Sequence, residues 1–399
     1  MSAPEHAPDY TAEYDNSGRV PNAAELIDGY MLDAAFFRES HADHMEADLL
    51  YGPEPRNMLD IFWPLSQSKD GETGHDKTAP LAMFIHGGYW QRLDRSSFSH
   101  MAGGLLAHGV AVAIPSYTLC PENTVEGIVN EMRRACLVLY QTHQRPITVV
   151  GHSAGGHLAA CMLATDWSAI HPELPEDLVQ SAVGISGLYD LLPLIHTPIN
   201  EALGLDEDSA RDASPVLWTP DALNRFEAWV GSDESNEYHR QSRDLTEQWC
   251  MLGTPTEYVI AEGQNHFTVI DALTDPGSTM VRSIVDLVNF PAIDVPLPEG
   301  DDLAEVMSEA ELEEDPEPKP EPETESASEP LESDGETAVI EASDESNLDA
   351  ESVDVDADPL NGSYASNEPE DVQVLEAEDQ EQSGQQPKDN AGTFEESKS

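Results

Sequence analysis

The chain has 399 residues and a formal net charge of −60 at pH 7, with 78 acidic residues against 18 lysines and arginines. A surface this negative is repelled by nucleic acid and by anionic membranes, which argues against either as a partner. The four cysteines lack paired spacing and predict reduced core thiols instead of a disulfide or zinc framework. Because the sequence also lacks a leader pattern and an apolar run of membrane-spanning length, we expect a cytoplasmic protein.

The composition changes sharply near the end of the chain. From Gly300 onward there are 34 acidic residues, three lysines and no arginine. Such a segment cannot bury enough apolar surface to offset the entropy lost on ordering. We therefore predict an N-terminal surface arm (residues 1–20), a catalytic domain (residues 21–292) and a disordered acidic tail (residues 293–399). Two roles stay open for the tail, a solubilising extension and weak contacts with partners.

Within the predicted domain, strand and helix patterns alternate along the chain. Helical spacing predicts a helix from Pro21 to about Ser40, followed by strands at 48–51 and 58–64 and a polar loop at 65–79. A continuous apolar strand at 80–86 is typical of a sheet covered on both faces. Further helices are predicted at 96–108, 125–144, 154–166, 235–252 and 277–289, and further strands at 110–115, 147–151, 182–186, 226–231 and 257–261.

This alternation predicts an α/β fold with a mostly parallel central sheet flanked by helices. Proline-rich residues 187–223 interrupt it and predict a short cap. We expect the cap to lie over the carboxyl ends of the strands, where open α/β sheets bind their ligands.

One stretch organises the predicted fold: the apolar strand at 147–151, the pattern Gly-x-Ser-x-Gly at residues 151–155, and the helix-forming segment after it. This order is typical of a nucleophile elbow, a sharp strand-to-helix turn that lifts a serine hydroxyl above the sheet. Side chains at the two glycines would collide with the neighbouring strand and helix. Ser153 is therefore the candidate nucleophile, and the N-terminus of the following helix points at developing negative charge.

A serine nucleophile needs a base and an acid, which follow it in the order acid, histidine in hydrolases of this type. His266 directly follows the last predicted strand on a glycine-containing loop, where the base is expected. The loop after the preceding strand offers Asp233 and Glu234. Such acids commonly lie three residues after the glycine that ends the strand, which favours Glu234. Asp233 stays open as the acid, or as a cap for the following helix together with Ser235.

The oxyanion hole requires backbone N–H groups from two places. One belongs to the residue after the nucleophile, Ala154, and the other to the loop after the strand at 80–86. Glycines in that loop let the main chain turn its N–H groups into the pocket. We assign Gly87, Gly88 and Ala154 to the hole and prefer Gly88 and Ala154.

Aromatic residues and histidines flank these glycines and the elbow. Tyr89 and Trp90 follow at the predicted pocket rim, where they either contact a planar substrate or pack as core residues. His86 is expected to brace its loop, and His152 and His157 to support the elbow. No metal-ligand pattern, phosphate-binding loop or dinucleotide fingerprint is present, so we predict hydrolysis of a small molecule without a cofactor.

Five segments of the sequence form a linked set of motifs: Phe84–Trp90, Gly151–His157, Ile185–Leu191, Glu234–Ser242 and Asn265–Phe267. Together, in a match over roughly residues 15–290, they resemble the kynurenine formamidase (arylformamidase) branch of the α/β-hydrolases and its bacterial carboxylesterase-like relatives. In that branch the catalytic acid immediately precedes the serine of an acid-Ser-x-Glu-aromatic segment, which implies Glu234 here. Family members often carry aspartate at this position, and the acidic tail has no counterpart in the family pattern.

The resemblance implies hydrolysis of N-formylkynurenine to kynurenine and formate in tryptophan breakdown. It also permits a general carboxylesterase that acts on short-chain esters, because both reactions pass through one tetrahedral intermediate. A catalytically inactive hydrolase scaffold that binds partners is the alternative from another class. The sequence is compatible with a homodimer but does not specify the oligomeric state.

Overall fold

The structure, a computed structural model, describes residues 8–67, 73–171, 174–221 and 223–289. Eight of the strands in these ranges form one sheet, and two more form a small separate hairpin. The strands are Met45–Leu50 (β1), Met58–Phe62 (β2), Leu65–Gln67 (β3), Thr73–His75 (β4), Leu81–Ile85 (β5), Ala111–Pro115 (β6), Ile147–His152 (β7), Val179–Ile185 (β8), Arg225–Gly231 (β9) and Thr256–Ala261 (β10).

The order of strands across the large sheet is β1-β2-β6-β5-β7-β8-β9-β10. β2 pairs antiparallel with both β1 and β6. From β6 across to β10 every pair of neighbours is parallel. The mostly parallel sheet of the predicted α/β class is confirmed.

Helices cover this sheet and bury two hydrophobic clusters, one on each face. Alternate residues of β5 point to opposite faces, so that Met83 belongs to one cluster and Phe84 to the other. The α-helices are Tyr10–Tyr14 (α1), Asn16–Arg19 (α2), Ala23–Ser40 (α3), Gly103–Leu106 (α4), Val125–His143 (α5), Ala154–Leu163 (α6), Trp167–Ile170 (α7), Asn200–Leu203 (α8), Glu207–Asp212 (α9), Asn236–Met251 (α10) and Thr279–Val288 (α11). The 3-10 helices are Ala42–His44, Arg95–Ala102, Leu192–His196, Pro215–Leu217 and Thr268–Thr274.

Two local predictions need correction. The predicted polar loop at 65–79 contains the hairpin of β3 and β4, whose three-residue strands are too short to show a periodic pattern. The predicted helix at 96–108 is a 3-10 helix that continues into the short α4. Adjacent glycines at the start of α4 explain why an α-helical pattern is weak there.

The N-terminal arm also differs from the predicted surface segment. Its two short helices begin at aspartate caps, because Asp9 accepts from Ala12 N at 3.3 Å and Asp15 accepts from Gly18 N at 2.9 Å. Tyr14 is only 1% exposed and Asn16 only 7%. The arm therefore has a buried side, and that side reaches the candidate site.

Among the described residues of the cap, the chain forms two short α-helices and two 3-10 helices. The cap is tied to the elbow helix because His157 Nε2 donates to the carbonyl of Ala213 at 2.7 Å. It is tied to the loop after β5 because Gln91 Nε2 donates to the carbonyl of Ile199 at 2.9 Å. These bonds hold the cap against the carboxyl ends of the central strands.

Across the described ranges, no helix is long and apolar enough to cross a membrane. Residues 1–7 of the predicted arm and the predicted acidic tail at 293–399 lie outside the described residues.

Candidate active site

Ser153 occupies the turn between β7 and α6. Its φ of +56° and ψ of −119° lie outside the regions that L-residues ordinarily adopt, as expected for a nucleophile elbow. A Cβ on Gly151 would lie 2.0 Å from the carbonyl oxygen of Gly155. A Cβ on Gly155 would lie 2.0 Å from the carbonyl oxygen of Ile85. Only glycine at both positions lets strand and helix approach closely enough to form the turn.

The three side chains selected from sequence lie in one hydrogen-bonded row. His266 Nε2 is 3.1 Å from Ser153 Oγ, and His266 Nδ1 is 2.7 Å from Glu234 Oε2. A carboxylate only accepts, so Nδ1 is the donor to Glu234, and Nε2 is the nitrogen placed to take the serine proton. The Glu234 side chain is fully buried, and its Oε1 accepts from Ser186 Oγ at 2.5 Å and Gly231 N at 2.8 Å.

Asp233, the alternative acid, points away from this row. The residue is exposed, and its carboxylate accepts from the neighbouring Ser232 hydroxyl at 3.1 Å. Its backbone N–H donates to Gln264 O at 3.0 Å, which fixes the loop that brings Glu234 inward. Ser235 stands at the N-cap of α10, but its side chain makes no capping hydrogen bond. The geometry favours Glu234 as the acid.

The predicted oxyanion donors surround the serine. Ala154 is the first residue of α6, where a backbone N–H has no partner within its own helix. Gly87 lies directly against the elbow, because a Cβ there would be 2.9 Å from both His152 O and Ser153 Cβ. Gly88 has a φ of +117°, which glycine adopts freely, and both loop glycines line the same cavity as Ser153.

Neutral, buried histidines brace the elbow and the loop after β5. His86 Nδ1 donates to Gly87 O at 2.8 Å, and its ring stacks on Tyr117 with centroids 4.5 Å apart. Burial lowers the pKa of both His86 and His157 to about 4. Burial is the main cause that lowers the pKa of His152 well below its usual value, and the neighbouring His266 lowers it further. These rings are therefore uncharged near neutral pH, as their supporting roles require.

The His266 ring is held between two other rings. His152 lies 4.8 Å away between centroids, and its Nε2 donates to the His266 carbonyl at 2.8 Å. Tyr238 packs on His266 with centroids 4.7 Å apart. Contacts of this kind restrict the imidazole to the orientation that links Ser153 to Glu234.

A cavity of about 410 Å³ opens onto these residues. Tyr89 lines it, as predicted, and so do the cap residues Thr197 and Ile199. The prediction that Trp90 contacts substrate is wrong. Trp90 is fully buried and packs edge-on against His157 with centroids 5.1 Å apart, so the alternative of core packing holds for it.

Sequence reasoning missed four residues of the site. Tyr14 and Asn16 reach the cavity from the arm, Ser186 supports Glu234, and Tyr238 packs on His266. Tyr238 lies inside the acid-Ser-x-Glu-aromatic segment, so that segment was a usable signal. Ser186 directly follows β8 at the carboxyl edge of the sheet, and this position was a weaker signal. The arm residues lie in a short polar stretch without periodicity, so the sequence offered no signal for them.

Comparison with known proteins identifies the family of the chain. The family model BD-FAE matches residues 59–211. The kynurenine formamidase of Salmo salar is 32% identical over 237 residues, which cover 56% of this chain and 76% of that protein. The chain belongs to the kynurenine formamidase-like branch of the α/β-hydrolase family. The kynurenine formamidase of Drosophila melanogaster is 30% identical over 247 residues and covers 59% of this chain and 78% of that protein.

A solved structure also resembles this chain. A Silicibacter sp. TM1040 protein assigned as a thioesterase is 35% identical, with a TM-score of 0.61. The match covers 70% of this chain and all of that one. Both sets of relatives are hydrolases, so this member of the kynurenine formamidase-like branch is a hydrolase of ester or formamide bonds.

Proposed function

We propose that the protein is a serine hydrolase that cleaves small aryl formamides by acyl-enzyme catalysis, with N-formylkynurenine as the substrate and kynurenine and formate as products. The observation that carries this proposal is the hydrogen-bonded row of Glu234, His266 and Ser153 beneath an open cavity. The formamidase relatives support the choice of substrate. Their activity is extended to this chain by similarity.

In the first half-reaction, Ser153 Oγ bonds to the formyl carbon while its proton passes to His266 Nε2. The carbonyl oxygen becomes an oxyanion, which accepts hydrogen bonds from the Gly88 and Ala154 N–H groups. The C–N bond then breaks as His266 returns the proton to the leaving nitrogen. The aryl amine departs and Ser153 carries the formyl group.

In the second half-reaction, water adds to the formyl carbon and gives a proton to His266. The bond to Ser153 Oγ breaks and the serine recovers its proton, so formate leaves and the enzyme is regenerated. Throughout both steps Glu234 keeps its charge, orients the imidazole and stabilises the imidazolium. The buried hydrogen bonds from Ser186 and Gly231 hold the carboxylate for this role.

The cavity suits a small aromatic substrate. Its volume lies in the range of ordinary ligand pockets, and Tyr30, Phe98 and Tyr89 supply aromatic lining for an aryl ring. The second candidate is a general carboxylesterase, because the same site can attack an ester and one close relative is assigned as a thioesterase. The intact row of serine, histidine and acid argues against an inactive binding scaffold.

The test measures turnover of N-formylkynurenine and of short p-nitrophenyl esters by the purified protein, with labelling by a covalent serine-directed probe. We expect formamide turnover and labelling that disappears in Ser153→Ala. Ester turnover without formamide turnover would reject the formamidase in favour of the carboxylesterase. A wild-type protein that remains unlabelled at Ser153 would reject the enzyme itself.

A further inference from the structure

The arm residue Asn16 carries a side-chain amide whose orientation is fixed by its hydrogen bonds. Its Nδ2 lies 3.1 Å from Tyr89 Oη and 2.8 Å from Tyr238 Oη. Tyr89 Oη also donates to the backbone carbonyl of Tyr14 at 2.6 Å and lies 2.7 Å from Tyr238 Oη. These three polar side chains form a closed group beside the cavity.

Counting protons decides which end of the amide faces the tyrosines. Burial is the main cause that raises the pKa of Tyr89 well above its usual value, and the neighbouring Tyr238 raises it further. This hydroxyl therefore keeps its one proton. A carbonyl only accepts, so that proton belongs to the bond with Tyr14. Tyr89 Oη can then only accept, from Asn16 on one side and Tyr238 on the other. Both protons of Asn16 Nδ2 are used, and a flipped amide would set Oδ1 against an oxygen with no proton to give.

Asn16 Oδ1 is therefore an acceptor without a donor from the protein. In the part of the chain that the structure describes, no group donates a hydrogen bond to it. Asn16 is 7% exposed and lines the cavity. Its Oδ1 is not one of the fully enclosed polar atoms without a partner in that part of the chain, so it is open to the cavity. Oδ1 thus offers its lone pairs to whatever occupies the cavity.

This acceptor belongs to the reaction centre and not to a distant part of the pocket. Asn16 lines the same cavity as Ser153 and His266. The Tyr238 hydroxyl that it holds also interacts with the Ser153 side chain, and the Tyr238 ring packs on His266. The amide therefore lies beside the pair formed by Ser153 and His266.

We propose that Asn16 Oδ1 accepts a hydrogen bond from the N–H of the scissile amide, and that the N-terminal arm thereby selects aryl formamides over the corresponding esters. This inference rests on the proposed function and deepens it, because it names a residue that distinguishes the two candidate substrates. Asn16 acts as a specificity residue, since it touches the substrate without exchanging a proton with it.

The chemistry of the leaving group explains why the acceptor matters. Once Ser153 Oγ has bonded to the formyl carbon, the nitrogen lone pair must point at the proton on His266 Nε2 before the C–N bond can break. The N–H then points elsewhere and needs an acceptor, which Oδ1 supplies. The leaving oxygen of an ester has no hydrogen, so it cannot donate a hydrogen bond to Oδ1. The lone pairs of the two oxygens instead repel each other.

The experiment compares an aryl formamide with the aryl formate that carries the same ring, using full-length enzyme and rates corrected for the buffer blank. The measured quantity is the ratio of kcat/KM for the formamide to kcat/KM for the ester. Both rates come from one preparation, so the fraction of folded enzyme cancels in the ratio. The variants are Asn16→Ala, Asn16→Asp, which keeps an acceptor oxygen, and Asn22→Ala, which changes an exposed asparagine just after the arm whose side chain caps no helix.

We expect the ratio to fall about tenfold in Asn16→Ala, the loss of one hydrogen bond, and to recover in Asn16→Asp even if both rates are lower. Asn22→Ala should keep the wild-type ratio. An equal loss for both substrates in Asn16→Ala, or the same low ratio in Asn16→Asp, would overturn the inference and leave the proposed function intact. A wild-type enzyme that turns over the ester alone would instead overturn the proposed function, and the inference with it.

Discussion

The elbow and the N-terminal arm meet at the same cavity but are built in opposite ways. Every residue from 147 to 163 is buried, and the turn at Ser153 is set by backbone packing that only glycine permits. In the described part of the arm, residues 8–20, most side chains are exposed, and the arm is held by the buried Tyr14 ring and by a few hydrogen bonds from Tyr14 and Asn16. Reaction chemistry thus depends on backbone geometry, whereas the wall that meets the substrate depends on individual side chains.

This difference predicts how each region responds to mutation. A change in the elbow should disturb folding, because the neighbouring strands and helix have no room to move. A change in the arm should leave the core folded and act on local order or on substrate choice. The predictions below test this contrast, from the largest expected effect to the smallest.

Gly155→Ala should give the largest effect. The added Cβ would lie 2.0 Å from the Ile85 carbonyl oxygen and 2.7 Å from that of His86, both in the backbone of the neighbouring strand and its loop. We expect a loss of more than about 3 kcal/mol in the free energy of unfolding, or no folded protein at all. Chemical denaturation measures this loss.

Gly29→Ala is the matched control for that experiment. Gly29 lies inside α3, and a Cβ there meets nothing within 4 Å. Its replacement should be neutral or stabilising by up to about 1 kcal/mol. A Gly155→Ala protein with wild-type stability would show that the elbow is less tightly determined than its backbone contacts imply.

Glu234→Gln tests whether the Glu234 carboxylate supports His266 as the catalytic base. The glutamine keeps the size of the side chain but removes the charge that orients and stabilises protonated His266, so kcat/KM should fall about 10³–10⁴-fold with little change in Tm. Asp233→Asn should keep activity near that of the wild type, since the carboxylate of Asp233 is exposed and bonds only to Ser232 among the described residues. The reverse pattern would assign the acid to Asp233.

The sequence predicted the elements that depend on backbone patterns. Strand and helix periodicity gave the parallel sheet, and the glycine pattern at 151–155 gave the turn, because both depend on properties that each residue carries locally. The order of the loops then pointed to His266 and Glu234. Strands that are neighbours in a parallel sheet end at one edge, so their loops meet above it.

The sequence could not predict contacts that depend on the final packing. Trp90 and Tyr89 are neighbours in the chain, yet one is enclosed in the core and the other lines the cavity. Asn16 and Tyr238 are 222 residues apart and are joined by a single hydrogen bond. No local pattern encodes such a pair, so the contribution of the arm to the site emerged only from the three-dimensional structure.

His157, in the helix that follows the elbow, makes the free energy of unfolding depend on pH. Its pKa of about 4 in the folded protein lies below the value near 6.5 expected after unfolding. Between these values the unfolded chain binds more protons, so the free energy of unfolding falls as pH is lowered from about 6.5 to 4. His157→Gln should reduce this slope by about 1.4 kcal/mol per pH unit, measured by denaturant unfolding from pH 4.5 to 7. An unchanged slope would show that His157 titrates alike in both states.

Tyr14→Phe should give the smallest effect and confine it to the arm. The Tyr14 hydroxyl donates to Glu237 Oε2 at 2.8 Å and accepts from Gln241 Nε2 at 2.6 Å, and its loss costs about 1–2 kcal/mol of arm docking. The arm should then open more often, and trypsin should cleave after Arg19 about tenfold faster, while the Tm of the domain changes little. Tyr10→Phe is the control, because the Tyr10 hydroxyl makes no hydrogen bond within the described residues. A large drop in Tm for Tyr14→Phe would instead make the arm part of the cooperative core, and the contrast between a backbone-built elbow and a side-chain-held arm would then fail.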